Sequence, residues 1–140
     1  MSYVFDACSM LNLTRSLSGK VVDVLKGNTA LSLAYYELAN ALWKECNLKR
    51  ISFEEAAKIL KFAYSVLRLM DVVHISEVNL GINTLNMAKR LKITFYDAAY
   101  LNVAKELRKT LVTDDKELRE IAKRVKMKTL SSEGFIQSSD

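Results

Sequence analysis

Short apolar runs, each too brief to make a helix, recur along this chain between longer stretches of helical pattern. They are Tyr3-Val4-Phe5 within residues 2–6, Thr29 to Ser32, Val72-Val73-His74-Ile75, Thr110 to Thr113 and Met127 to Leu130. A strand that is apolar on both faces belongs in a sheet covered on both sides. Strands that alternate with helices are joined by crossovers rather than hairpins, so the expected product is a mostly parallel five-stranded sheet flanked by helices, an α/β fold. That fold also limits where chemistry can sit, because open α/β sheets place ligand sites beyond the carboxyl ends of their strands.

The intervening segments read as helices. Residues 8–17 form the first, and a short piece over 20–26 ends at Gly27-Asn28. From Leu33 to Leu48 the period turns helical, with Leu38, Ala41, Leu42 and Cys46 on one face and Glu37, Asn40 and Lys44 on another. Ser52-Phe53-Glu54-Glu55 has capping-box spacing and opens a helix reaching Leu69. That helix is apolar nearly all round, which predicts contacts on more than one side and leaves surface for a partner. Further helices are predicted over 77–91, Thr94 to Arg108 and 115–126.

At 140 residues the chain suffices for one domain and is too short for two ordinary ones. It is expected to span 1–132, with the polar end, residues 133–140, frayed. No apolar run approaches the roughly 20 residues that cross a bilayer, and the first residues lack the pattern of a secretory signal. The expected setting is cytoplasmic, with no membrane association. In that setting Cys8 and Cys46 are expected to be free, buried thiols.

Five acids draw attention. Asp6 directly follows the first strand, Asp114 and Asp115 follow the fourth, Glu37 sits early in the helix after the second strand, and Asp97 opens the helix that begins at Thr94. Carboxylates gathered at one sheet edge repel one another unless cations lie between them, which points to a divalent-metal site. Each acid also has a purely structural reading. Asp97, three residues after Thr94, completes capping-box spacing; Asp114 and Asp115 suit a helix start; Glu37 suits a solvated face. The formal charge is nevertheless +5, and residues 105–128 hold nine Lys or Arg against five Asp or Glu. Such a basic surface suits a polyanion, and it equally suits ordinary solvated helix faces.

The stretches Tyr3-Val4-Phe5-Asp6-Ala7, Glu37 in its helix, Thr94-Phe95-Tyr96-Asp97-Ala98-Ala99-Tyr100-Leu101 and Leu111-Val112-Thr113-Asp114-Asp115-Lys116-Glu117-Leu118 together resemble the four motifs of PIN-domain nucleases. Their order, spacing and total length are most similar to VapC-type ribonuclease toxins of prokaryotic toxin–antitoxin pairs. The resemblance implies a three-layer PIN-like fold, and it makes Asp6, Glu37, Asp97 and Asp115 the catalytic, metal-binding acids. Asp114 occupies the variable place in Thr-x-Asp and is the alternate ligand, while Thr113 supplies a hydroxyl that orients the cluster. One departure stands out: the family often has Ser, Thr or Asn two residues after the first Asp, and here Cys8 holds that place, with Ser9 next to offer a hydroxyl.

An all-oxygen donor set suits Mg²⁺ or Mn²⁺. The implied reaction is endonucleolytic hydrolysis of RNA by metal-activated water, in a homodimer silenced by a cognate antitoxin. His74, the only histidine, is expected to pack or reach the surface rather than catalyse. Three other readings compete: a housekeeping RNA-processing PIN nuclease, a non-catalytic nucleic-acid or protein-binding α/β module, and a response-regulator receiver. The receiver ranks lowest, because its acidic pair follows the first strand, where this chain offers only Asp6.

Overall fold

A computed structural model describes residues 2–138. Its elements alternate: β1 (Tyr3–Phe5), α1 (Ala7–Leu17), a 3-10 turn (Ser18–Lys20), α2 (Val21–Leu25), β2 (Thr29–Leu31), α3 (Leu33–Asn47), α4 (Phe53–Leu67) and β3 (Asp71–Val73). There follow α5 (Val78–Leu91), α6 (Phe95–Leu107), β4 (Thr110–Val112), α7 (Lys116–Arg124), β5 (Thr129–Leu130) and α8 (Ser132–Ser138).

The strands form one sheet in the order β3-β2-β1-β4-β5, and every pairing is parallel. From β1 the chain first builds outward through β2 and β3, then crosses back to place β4 on the other side of β1. The reversal makes the carboxyl ends of β1 and β4 the switch point of the sheet. Phe5 pairs with Val112, so Asp6 and Thr113 leave the sheet side by side.

Alternation along the strands divides the core into two layers. Phe5, Ala30 and Val112 face one way, into Met10 and Leu13 of α1, Leu38 and Leu42 of α3, and Ala63 and Leu67 of α4. Val4, Leu31 and Leu111 face the other way, into Met87 of α5, Leu101 of α6, and Leu118 and Ala122 of α7. The three-layer arrangement expected from the sequence is therefore present.

Several local expectations need correction. Most of the polar end expected to be irregular is helical: α8 covers Ser132–Ser138, and Ser131 Oγ accepts a bond from the Gly134 N–H. Phe135 is the cause, its ring standing edge-on to Tyr3 and Phe5 at 4.9 and 5.2 Å. Residues 139 and 140, also part of that expected tail, lie outside the described residues. The third strand ends at Val73, leaving His74 exposed beyond an edge strand. Cys8 and Cys46 are free, but neither is buried as expected: Cys8, in the first turn of α1, is exposed, and Cys46, near the end of α3, is half-buried. The capping box at Ser52 and Glu55 forms as its spacing predicts.

Candidate active site

Asp6 is the hinge between sheet and helix. Its backbone N–H still reaches Val112 O at 3.2 Å, while its extended conformation makes it the N-cap of α1. The carboxylate accepts from the Ser9 N–H at 2.9 Å and from the Thr113 hydroxyl. Ser9, wholly buried, has its own hydroxyl 2.9 Å from both the Asp6 and Val112 carbonyls, tying the ends of β1 and β4 together. The hydroxyl expected near Asp6 is thus present, but it holds backbone; the Ser9 amide holds the carboxylate.

Thr113, fully buried, links two of the acids. Its Oγ1 accepts from the Asp115 N–H at 3.2 Å and donates to Asp6. Asp115 caps α7, its carboxylate accepting from the Leu118 N–H at 3.1 Å. Asp97 lies in the first turn of α6, where Thr94 Oγ1 accepts from its N–H at 3.1 Å. Asp115 caps α7 as foreseen, and a cap engages only part of a carboxylate's acceptor capacity, so that role is compatible with a site role. The capping box foreseen for Asp97 forms by half: Thr94 caps the Asp97 N–H, and the Asp97 carboxylate is left for other partners.

Glu37 projects from α3 and meets Tyr100 of α6, whose hydroxyl donates to its Oε1 at 2.6 Å. Tyr100 was quoted within its motif but given no role from sequence. The available signal is its place three residues after Asp97, which puts both on one side of α6.

The acids form a row of neighbours. Burial raises the Asp6 pKa, against the hydrogen bonds from Thr113 and Ser9. Burial also raises Glu37, against the Tyr100 bond, and the charges of Asp6 and Asp97 add to the rise. Asp97 is raised by burial and then by Asp115. Each carboxylate thus feels the next, from Asp6 through Glu37 and Asp97 to Asp115. Among the described residues no three His, Cys, Asp or Glu groups already converge on one point. The four are gathered at one edge without being folded into a closed cage.

Asp114 points elsewhere. Its Oδ2 accepts from Asn12 and its Oδ1 from the Ser132 N–H, both at 2.7 Å. Burial opposes its ionisation, yet those bonds and the nearby Arg119 charge hold its pKa below the usual carboxylate value. It fastens α1 and α8 to the end of β4. Cys8 lies beside the row: partial burial pushes its thiol pKa up, Asp6, Glu37 and Asp114 push it further, and Lys44 opposes them. His74 lies two strands away from β1.

Asp97 and Asp115 line a cleft of about 200 Å³ with Lys92, Thr94, Glu117 and Leu118. A larger cleft of about 680 Å³ opens at the opposite edge of the sheet, between Tyr3, Arg108, Thr110, Lys128 and Thr129. The chemistry lies at the smaller one, where the carboxylates are.

A parallel sheet reversing at β1, with carboxylates at the carboxyl ends of β1 and β4, defines a PIN-type α/β domain. No family model matches the chain. It is 39% identical over 118 residues to Exonuclease VapC9 of Pyrobaculum aerophilum, covering 84% of each protein. It is 32% identical over 90 residues to Ribonuclease VapC3 of the same organism, covering 64% of this chain and 67% of the relative. The crystal structure of PAE2754 from Pyrobaculum aerophilum superposes with a TM-score of 0.81 at 29% identity, covering 99% of this chain and 88% of the other. VapBC2 from Rickettsia felis, solved with a promoter DNA fragment, shares the fold at a TM-score of 0.64 and 15% identity, over 94% of this chain and 98% of the other. The chain belongs to the VapC family of PIN-domain nucleases.

Proposed function

We propose that this nuclease is a divalent-metal-dependent endoribonuclease, the toxin of a cytoplasmic toxin–antitoxin pair, with Asp6, Glu37, Asp97 and Asp115 as its metal-binding, catalytic acids. What supports the reading is the placement of Asp6 and Asp115 just beyond the carboxyl ends of β1 and β4, at the switch point, with Glu37 and Asp97 on α3 and α6 close enough for charge on one acid to raise the pKa of the next. Uncompensated repulsion of that kind is what a bound cation relieves. The donors are all oxygens, which fits hard Mg²⁺ or Mn²⁺ better than a softer ion.

When bound, such an ion polarises a phosphoryl oxygen and lowers the pKa of a coordinated water. The chain's own residues prepare the place for it. Ser9 and Thr113 fix the Asp6 carboxylate, Tyr100 fixes one oxygen of Glu37, and the first turn of α7 fixes Asp115. Lysines and arginines concentrated in residues 105–128 offset the acids and attract the phosphate backbone without reading its sequence.

The relatives' names differ, one an exonuclease and the other a ribonuclease. Asp115 is exposed at the rim of the sheet, a position that a strand without a free end can reach. That favours internal cleavage. Solved relatives include toxin–antitoxin complexes from Klebsiella pneumoniae and VapBC-1 from nontypeable Haemophilus influenzae. Apolar surface suited to an antitoxin segment and to a second copy of this chain is present on α3 and α4 (Tyr36, Trp43, Phe53) and on α5 (Ile82, Leu85). Among the described residues, no helix is long and apolar enough to cross a membrane.

The test is cleavage of a circular RNA in Mg²⁺, in Mn²⁺ and in EDTA, by the wild type and Asp6→Asn. Linearisation in either metal, its absence in EDTA and its loss in Asp6→Asn are expected; Asn keeps the helix cap, so the variant stays folded. Undiminished cleavage by Asp6→Asn sinks the assignment, and cleavage confined to linear RNA overturns the endonucleolytic part.

A further inference from the structure

The connection from β4 to β5 carries α7 from the acidic edge of the sheet back to the opposite edge. Its residues Lys116, Arg119, Glu120 and Lys123 fall at intervals of three and four, so they share one face. That face lines a groove of about 490 Å³ together with Met127, Lys128 and Thr129. Lys128 and Thr129 also line the 680 Å³ cleft at the amino-terminal edge, where Arg108 adds another cation and Tyr3 an aromatic ring. The two hollows therefore adjoin, with Lys128 and Thr129 forming part of the wall of each.

The upper end of this groove is joined to the acids. Arg119 donates Nη1 to the Thr113 carbonyl at 2.8 Å, and Lys116 immediately follows Asp115. Five cations, Lys116, Arg119, Lys123, Lys128 and Arg108, lie along the path, with Glu120 the acid among the groove's lining residues. Much of the basic excess of residues 105–128 is thereby gathered on one route that begins at the acids and ends at the far edge of the sheet.

We propose that this groove is the path of the substrate strand: single-stranded RNA enters the acidic edge and runs along α7 into the cleft between Arg108 and Lys128. The proposal rests on the nuclease reading given above. Charge complementarity and continuity with the acids favour nucleic acid as the occupant. The nine residues of α7 span about 13 Å at 1.5 Å per residue, room for roughly four nucleotides at a stacked repeat of about 3.4 Å. Beyond them the far cleft holds further phosphates, so substrate length matters beyond the cleaved bond.

The test measures binding of fluorescein-labelled oligouridylates of 4 and 12 nucleotides in EDTA, where cleavage is blocked, across a range of salt. The groove variant is Arg108→Gln/Lys123→Gln/Lys128→Gln. The control, Lys58→Gln/Lys61→Gln/Arg68→Gln, removes equal charge from exposed positions of α4 and its C-terminus. Wild type and control should bind the 12-mer similarly, and both more tightly than the 4-mer. The groove variant should bind the 12-mer at least about tenfold more weakly, lose the gain from length, and show a log–log salt slope smaller by about 2, from about 0.7 per lost phosphate contact. Equal losses in both triple variants, or none in the groove variant, overturn the path. Tighter binding of a 12-base-pair DNA duplex, lost in the groove variant, reassigns the groove and also overturns it. Wild-type protein that binds neither oligouridylate would instead overturn the ribonuclease reading itself, and the path with it.

Discussion

A 2.6 Å bond from Tyr100 to Glu37 sets one carboxylate oxygen in place and leaves the acceptor capacity of the other uncommitted to it. The Tyr100 ring is buried, so the donor has little freedom to wander. Groups that hold a metal-binding carboxylate commonly matter about 10- to 100-fold in metal affinity or activity. Tyr100→Phe is therefore expected to weaken Mn²⁺ binding, followed by calorimetry, by about that factor. The loss should vanish in a Glu37→Gln background, since the two residues act as one unit. An equal loss in both backgrounds would mean that Tyr100 serves packing alone. Asp6, Asp97 and Asp115 were legible as candidates because each stands beside a strand end or at cap spacing, whereas Glu37, inside α3, stood out only through a motif order that resembled a known family. Tyr100 was not legible, because its partner lies 63 positions earlier and meets it only across two packed helices. Asn12 and Ser132 escaped for the same reason: their common partner, Asp114, looked from sequence like a spare ligand.

At the scale of elements, apolar runs predicted all five strands, and helical period, with one short piece before Gly27-Asn28, predicted the seven helices from α1 to α7. Boundaries moved by a residue or two where polar caps compete. The eighth helix was missed, because Ser131-Ser132-Glu133 and Ser138 read as a solvated end and a single residue of the helix, Phe135, is buried. Reliance on one buried ring makes the helix vulnerable. Phe135→Ala should lower stability by about 3 kcal/mol, the lower end for deletion of a buried phenyl group, measured by urea denaturation. Loss of the ring also removes two edge-on aromatic contacts from β1. A change below about 1 kcal/mol would show that α8 is held instead by the Asp114 bond to its first amide.

For the whole molecule, the sheet gathers like charges at one edge and opposite charges along one flank. A cation that binds only the folded chain stabilises it by mass action, about 2.7 kcal/mol at a hundredfold excess over Kd. Mg²⁺ or Mn²⁺ should accordingly raise the wild-type Tm by roughly 5–10 °C, and EDTA should reverse the gain. Asp6→Asn should show little of it; an equal rise in that variant would place the ion elsewhere. The sheet also bears on how copies of this chain meet. Its outermost strands are β3, three residues opening on the exposed Asp71, and β5, two residues followed directly by α8. Rims this short, with a charge on one and a helix at the end of the other, offer a poor template for another backbone. Two protomers are thereby steered away from extending a common sheet, and association is left to side chains on helices, where a few substitutions can change partners without disturbing the strands that hold the acids.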